Sequence, residues 1–299
     1  MDRFQQMSIF VAVAEEGAFA AGARRSGLSA AAATRAIAAL EQRLGVLLLS
    51  RTTRGAQLTD AGARFLDECR RILTELADAE ANAAGEHAAP RGHLAIAAPV
   101  LMGQLLLAPL AVAFREAWPE VTFSLQLADR PPHLQDDGVD VALLTGVLPD
   151  STLVAVEVGT IRRVVVAAPD YLARHGQPAA PTELASHHLV LSAADARTST
   201  WRFAGADGDP VIAVRPGIVV STNRGAIDAA LAGGDITRVM SYQVAGELAA
   251  GRLQRLLEAF EPPPVPVHVA WRGGRRAPAK VRRFAEFAIE RLRTHPALH

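Results

Sequence analysis

The sequence predicts an α/β protein laid out in three stretches: a small helical unit ending in a hairpin, one long helix, and a larger region where strands and helices alternate. Three observations predict it. Apolar residues recur at helical spacing through residues 1 to 58, and a heptad-like pattern runs unbroken from Thr59 to Ala84. Beyond residue 91, short apolar runs such as "HLAIAAP" and "VDVALLT" alternate with amphipathic segments. At 299 residues the chain is too long for one ordinary core, so several domains are expected.

In the first stretch, Phe4, Met7, Phe10, Val11 and Ala14 make an amphipathic helix that stops near Gly17. A short helix follows from about Ala18 to Arg25, and Ser26-Gly27 supplies a tight turn. Ser29 is a good N-cap for a second helix reaching about Leu44, with Gly45 beyond its end. There Ala33, Ile37, Leu40 and Leu44 share one face, while Ala31, Arg35, Ala38 and Gln42 point the other way. "VLLLSRTTRGAQLT" reads as two short strands turned at Thr53-Arg54-Gly55. Residues 1 to 60 hold seven arginines against five acids, a small excess whose placement beside the helices and hairpin counts for more than its size.

In the long helix, Phe65, Cys69, Ile72, Leu76, Ala79 and Ala83 fall in one apolar seam. Such a seam either lies on its own unit's core or pairs with a second copy. The length of the helix and the polar "GEHAAPRGH" after it favour a dimerising linker. Cys69, the only cysteine, excludes an intrachain disulfide and reads as packing.

The remainder carries strands at "HLAIAAP", "VTFSLQLA", "VDVALLT", "RRVVVAAP", "LVLS", "GIVVST", "DITRVM" and "VPVHVAW". Helices are expected over Gly103 to Ala117, Arg224 to Ala232, Tyr242 to Ala250 and Pro278 to Arg293. This alternation implies mostly parallel strands, in two small lobes with ligand binding between them.

Zero formal net charge argues against a chain that coats polyanions along its whole surface. The N-terminus lacks the order of a signal peptide, and no run reaches the apolar length of a membrane span, so a cytoplasmic protein is expected. An enzyme would need a nucleophile with its base or a metal set. The nine histidines are scattered, His187-His188 lacks ligand spacing, and no G-x-S-x-G occurs. No catalytic residue, metal or cofactor is therefore expected. A solute-binding protein would share the two lobes but need an export signal.

The stretch "AVAEEGAFAAGARRSGLSAAAATRAIAALEQRLGVLLLSRTTRGAQLTDAGARFL" resembles the LysR-type transcriptional regulators. The likeness continues through "LAIAAPVLMGQLLLAPLAVAFREAWPEV", "RRVVVAAPDYLARHG" and "ITRVMSYQVAGELAAGRLQRLL" to "KVRRFAEFAIERL". It implies a winged helix-turn-helix over 1–58, a dimerising linker helix over 59–90, and a two-lobed effector domain over 91–299 shaped like a periplasmic binding protein. Lobe 1 would take about 91–162 and 268–299, and lobe 2 about 163–267. The implied partners are double-stranded promoter or operator DNA, a small-molecule effector, and the chain itself as homodimer or homotetramer, with no membrane.

By this resemblance, DNA reading falls to Ser29, Ala30, Ala31, Thr34 and Arg35 on the second helix and to Arg51, Thr52 and Arg54 on the wing. Relatives usually carry Gln and Pro where Ala30 and Ala31 stand, so hydrogen-bonding readout rests on Thr34, Arg35 and Ser29, with the alanines offering contact to thymine methyls. The other reading of Arg35 is an ordinary solvated helix charge. In the effector domain the family's hydroxyls after the first strand are replaced by Val100, Leu101 and Met102, and an arginine that relatives often carry is replaced by Leu144. Thr145, Ser192, Trp201, Thr222 and Asn223 remain as candidates at strand ends, each with a capping or packing role as the alternative. These replacements predict an apolar cleft and an effector with substantial apolar surface and at most one carboxylate.

Overall fold

A computed structural model describes residues 1–52, 55–83, 89–129, 138–149, 151–192, 200–205, 208–274 and 277–299. The chain divides into two compact units, Met1–Ala88 and Ala89–His299.

The first unit opens with α1 (Arg3–Glu16), where Asp2 accepts from the Gln5 N–H at 2.8 Å and the Gln5 side chain caps Asp2 in return. Gly17 ends it in the left-handed region, at φ 63°. In α2 (Phe19–Arg25), a Cβ on Gly22 would lie 2.5 Å from the Val13 Cα, so only glycine lets these two helices approach so closely. Helix α3 (Ala30–Leu44) is capped by Ser29, whose Oγ accepts from the Ala32 N–H at 3.2 Å, and stops at left-handed Gly45. Phe10, Val13, Ile37 and Leu40 from α1 and α3 fill the core.

Strands β1 (Leu49–Thr52) and β2 (Gly55–Leu58) form the antiparallel hairpin. Glu41 on α3 accepts from the N–H groups of Leu48 and Leu49 at 2.7 and 3.0 Å, which ties the base of the hairpin to that helix. Thr59 donates to the Leu47 carbonyl at 2.7 Å and accepts from the Gly62 N–H at 3.0 Å, capping α4 (Asp60–Ala83).

The seam expected on α4 is divided. Phe65 packs on Phe10 with ring centres 5.7 Å apart, and Leu66 and Cys69 are buried in the core with α1 and α3. Burial pushes the Cys69 thiol up to about 11, in keeping with a packing role. The start of the seam therefore serves this unit's own core, because α4 lies against α1 there. Only Ile72 and Leu76 continue it as half-buried residues, and the side chains of Ala79 and Ala83 lie outside the described part.

Among the described residues the second unit holds two larger sheets and two strand pairs. The first has the order β4 (Val121–Leu127), β3 (Gly92–Ala98), β5 (Val141–Thr145), β14 (Val265–Trp271) and β6 (Val154–Ile161). β3 runs parallel to β4 and β5, whereas β14 runs antiparallel to β5 and β6. In the second sheet β7 (Arg163–Ala167) lies between β12 (Thr237–Met240) and β13 (Gln254–Leu256), antiparallel to both. β8 (Val190–Ser192) runs parallel to β11 (Ile218–Val220), and a parallel bridge from Leu189 to Ile236 joins this pair to β12. β9 (Thr200–Arg202) and β10 (Val211–Ala213) form a separate antiparallel pair.

The first sheet is mixed and the β12–β7–β13 sheet is antiparallel throughout, where mostly parallel sheets were expected. The chain leaves the first sheet along β6, enters the second along β7 and returns along β14, and it is these connecting strands that run antiparallel. β14 is already paired with the first sheet from Val265, ahead of the expected return at 268. Where β6 passes into β7, the Arg162 N–H donates to the Ser241 Oγ at 3.1 Å and the Ser241 N–H donates to the Arg162 carbonyl at 2.8 Å.

Helix α5 (Val100–Met102) passes through a π-helical turn at Gly103–Leu107 into α6 (Ala108–Ala117). Contrary to the sequence expectation, this 18-residue stretch is long and apolar enough to cross a membrane by length and composition. Its Leu107 and Phe114 are instead buried in the unit's largest core, where Phe114 meets Phe284 of α10 (Ala279–Leu292) edge to face at 5.2 Å. The other α-helices of this unit among the described residues are α7 (Pro169–His175), α8 (Asn223–Leu231) and α9 (Ser241–Ala249).

Candidate nucleic-acid interface and ligand cleft

The face of α3 opposite its buried stripe is open to solvent. Ser29, Ala30, Ala31 and Arg35 are exposed and Thr34 is half-buried, so the first two turns present them together. Ala33, Ile37 and Leu40 fix the rotation of the helix by burying its other side. Ser29 uses one lone pair on its cap and keeps its hydroxyl proton for another acceptor. Arg35 has no acidic partner among the described residues, whereas Arg25 is drawn back to Glu15 at 2.7 Å. Arg24 and Arg43 are exposed as well. On the hairpin, Arg51 and Thr52 pair through their backbones with Ala56 and Gly55. Their side chains, and the whole of Arg54, lie outside the described residues.

In the second unit a cleft of about 280 Å³ opens where the edges of the two sheets meet. One wall carries Pro99 and Asp129, at the ends of β3 and β4, and Thr145, at the end of β5. Across it lie Arg163 on β7, Arg238 on β12, Ser192 on β8 and Asn223 at the start of α8. Tyr242 and Gln243 also line it, and Gln243 donates to the Tyr242 hydroxyl at 3.2 Å. Burial pushes the Tyr242 phenol up to about 12, with the hydrogen bond from Gln243 opposing and the charge of Asp129 adding to the rise, so the phenol keeps its proton.

Of the nine cleft candidates, Thr145, Ser192 and Asn223 line it. Leu101 and Met102 do not: both are buried in the unit's main core. Leu144 packs on Ala97, Val139 and Ala142. Val100 reaches the site only through its backbone N–H, which donates to the Asp129 Oδ1 at 3.0 Å. Thr222 caps α8 by accepting from the Gly225 N–H at 3.1 Å. Trp201 is fully buried, and its ring lies under the Arg238 guanidinium at 4.8 Å, so it supports a lining residue without lining the cleft itself.

The lining is thus polar and charged, where an apolar one was expected. The expectation followed the lost hydroxyls and the lost arginine, whereas the charges come from Asp129, Arg163 and Arg238, on other strands. Arg163 and Arg238 sit on one face of the β7–β12 ladder, since Met240 opposes Arg163 and Arg238 opposes Val165. In sequence each arginine merely stands beside β-branched residues, Arg163 before Val164 to Val166 and Arg238 between Thr237 and Val239.

Comparison with known proteins agrees with this anatomy. Residues 4–63 match the bacterial regulatory helix-turn-helix protein family of the lysR type, and residues 87–293 match the LysR substrate binding domain. An HTH-type transcriptional regulator of Xanthomonas campestris is 34% identical over 288 residues, covering 95% of this chain and 84% of the relative. The regulator CrgA of Neisseria meningitidis is 33% identical over 289 residues, 96% of each chain. A solved structure of CrgA, a LysR-type transcriptional regulator, superposes with a TM-score of 0.63 at 32% identity, covering 96% of this chain and 98% of that one. With a lysR-family helix-turn-helix at one end and a LysR substrate-binding domain filling the rest, the chain belongs to the LysR family of DNA-binding, effector-modulated transcriptional regulators.

Proposed function

We propose that the outer face of α3 reads an operator in the major groove, with Arg35 and Thr34 contacting base edges, Ser29 assisting at the helix start, and Ala30 and Ala31 packing on thymine methyls. Arg51, Thr52 and Arg54 on the hairpin hold phosphate or the adjacent minor groove. The observation that carries this reading is the exposed, acid-free Arg35 on a helix whose opposite face is locked into the core. Operators of two half-sites require two such helices, so the protein works as a homodimer or homotetramer joined through α4. It acts in the cytoplasm and catalyses no reaction. A small molecule in the cleft between the two sheets, touching Thr145, Ser192 and Asn223, shifts the balance between two arrangements of the effector domain. Sequencing genomic fragments retained by the purified protein tests the DNA reading. A shared motif with two-fold symmetry is expected, and retention without sequence preference would refute it.

A further inference from the structure

Tyr171 of α7 is fully buried, and its hydroxyl joins two neighbouring histidines. The His188 N–H donates to the phenol oxygen at 3.0 Å, and the same oxygen lies 3.0 Å from the His187 Nδ1. A backbone N–H can only donate, so the phenol accepts there. Its own proton then has one acceptor among the described residues, the His187 Nδ1. His187 is therefore a neutral ring with its proton on Nε2. Both histidines follow the short 3₁₀ helix Pro181–Ser186, so the hydroxyl ties α7 to the corner that leads into β8. The His188 carbonyl accepts from the Ile236 N–H at 2.9 Å, just before β12, and β8 ends at Ser192 in the cleft wall.

A proton added to His187 would occupy Nδ1 and turn this acceptor into a donor. Two N–H donors would then face the phenol oxygen, and the buried phenol proton would lose its acceptor. His175, at the end of α7, stacks on the Tyr171 ring with centres 4.6 Å apart, and His188 meets His175 edge-on at 5.5 Å. A charged His187 would thus share its corner with two more imidazoles. Glu183 is the carboxylate that opposes this, although its Oε2 already accepts from the Ala179 N–H at 2.9 Å. On α7, Asp170 is exposed and Arg174 turns to the Asp170 and Gly233 carbonyls. β10, packed beside the 3₁₀ helix, carries no charged residue. Burial raises the Tyr171 pKa, with the His188 N–H opposing, Asp235 adding to the rise and Arg174 opposing, so the phenol keeps its proton.

We propose that His187 is a proton sensor of the effector domain: its protonation in mild acid breaks the tie through Tyr171 and frees the corner that carries β8, and with it Ser192, to the cleft. This goes beyond the effector reading and holds whatever ligand the cleft takes. Burial, the largest influence, lowers the His187 pKa below the ordinary histidine value, with His175 and His188 adding to the fall and Glu183 opposing it. A lowered folded-state value contributes stability that is present above the unfolded value of about 6.5 and lost as pH falls through the folded one. The corner is therefore locked at neutral pH and loosened in acid.

The test is a pH titration of the full-length protein carrying isotope-labelled histidine, followed by NMR, beside thermal melts between about pH 7.5 and about pH 5.5. At neutral pH the His187 ring should carry its proton on Nε2, and its midpoint should lie below the ordinary histidine value. Tyr171→Phe removes the O–H that favours the neutral ring and should move that midpoint up. His187→Gln keeps an acceptor for the phenol and cannot titrate. The parent's melting temperature should fall relative to this variant's as the pH is lowered, and the His188 amide should lose its exchange protection in the parent alone. A proton on Nδ1 at neutral pH, a midpoint at or above the ordinary value, or a gap between parent and variant that ignores pH would overturn the proposal. Should His187→Gln fail to fold, the parent's tautomer, midpoint and His188 protection decide.

Discussion

Glu15 and Arg70 lie 55 residues apart in sequence, and the carboxylate accepts from the guanidinium Nε and Nη2 at 3.1 and 2.8 Å. The same carboxylate meets Arg25 at 2.7 Å, so one acid at the end of α1 ties together α1, α2 and α4. Cys69, the neighbour of Arg70, is buried in the same core. This polar tie and the apolar core beside it fix how the long helix leaves the helix-turn-helix unit.

The pH dependence of that unit follows. Burial raises the Glu15 pKa and is the largest single influence, but hydrogen bonds and charge from Arg70 and Arg25 together outweigh it and hold the group below the usual carboxylate range. A lowered folded-state pKa contributes stability that is present above the unfolded value of about 4.3 and lost as pH falls through the folded value. Glu15→Gln should therefore lower stability by about 0.2–1 kcal/mol at pH 7, the range of exposed pairs, and the deficit should shrink as the pH is lowered toward 3. Thermal melts of both proteins at the two pH values check this, and a deficit independent of pH would contradict it.

Gly62 offers a test in which two effects have opposite sign. It lies in the first turn of α4, where a glycine-to-alanine change normally gains about 1 kcal/mol of helix stability. A Cβ there would run into the Leu48 carbonyl oxygen, which already accepts from the Thr59 N–H at 3.0 Å and cannot retreat without losing that bond. Overpacking should win, and Gly62→Ala should lose about 1–3 kcal/mol in chemical denaturation. A stabilised variant would show that the junction between hairpin and α4 yields.

The N-terminal unit was legible because its determinants are local. Ser29 and Gly45 mark α3, and the spacing of Ala33, Ile37 and Leu40 sets its buried face, all within one segment. The division of the α4 seam was not legible, since heptad spacing is the same whether Phe65 meets Phe10 of its own chain or a second copy. β6 was missed because Glu157 and Gly159 interrupt its apolar pattern, although β14 pairs along it. The cleft was least legible. Arg163 and Arg238 become neighbours only through the pairing of β7 with β12, and Asp129 joins them only because β4 ends beside the start of α5. The misplacement of Leu101 and Met102 has the same origin, for which side of a helix start faces a cleft depends on the sheet beneath it.

For Arg35, exposure on α3 with no acidic partner among the described residues predicts a role that depends on base identity. Arg35→Ala should weaken the specific site by about 1–3 kcal/mol and flatten discrimination at one base position. Arg51→Ala and Arg54→Ala should instead weaken all sequences alike and reduce the dependence of binding on salt. Competition binding on a library of single-base operator variants, repeated at several salt concentrations, distinguishes the two effects. An Arg35→Ala protein with unchanged affinity and preference would assign this residue to solvation alone.

The last prediction concerns the part of α4 that its own unit does not consume. Phe65, Leu66 and Cys69 are satisfied by the core, whereas Ile72, Leu73 and Leu76 continue down the helix only half-buried in the single chain. A pairing helix from a second copy would cover them, and Leu76→Asp would then place a carboxylate in an apolar seam with no counter-charge. Because Leu76 stands beyond the residues that seal the core, the variant should melt like the parent when both are monomeric. Its dimer should dissociate more than about tenfold more readily, and operator affinity should fall with it, since two α3 helices would no longer be held together. Sedimentation velocity across a concentration series, run beside operator titrations, measures both. An unchanged oligomer with normal operator binding would show that the outer half of α4 does not carry the interface.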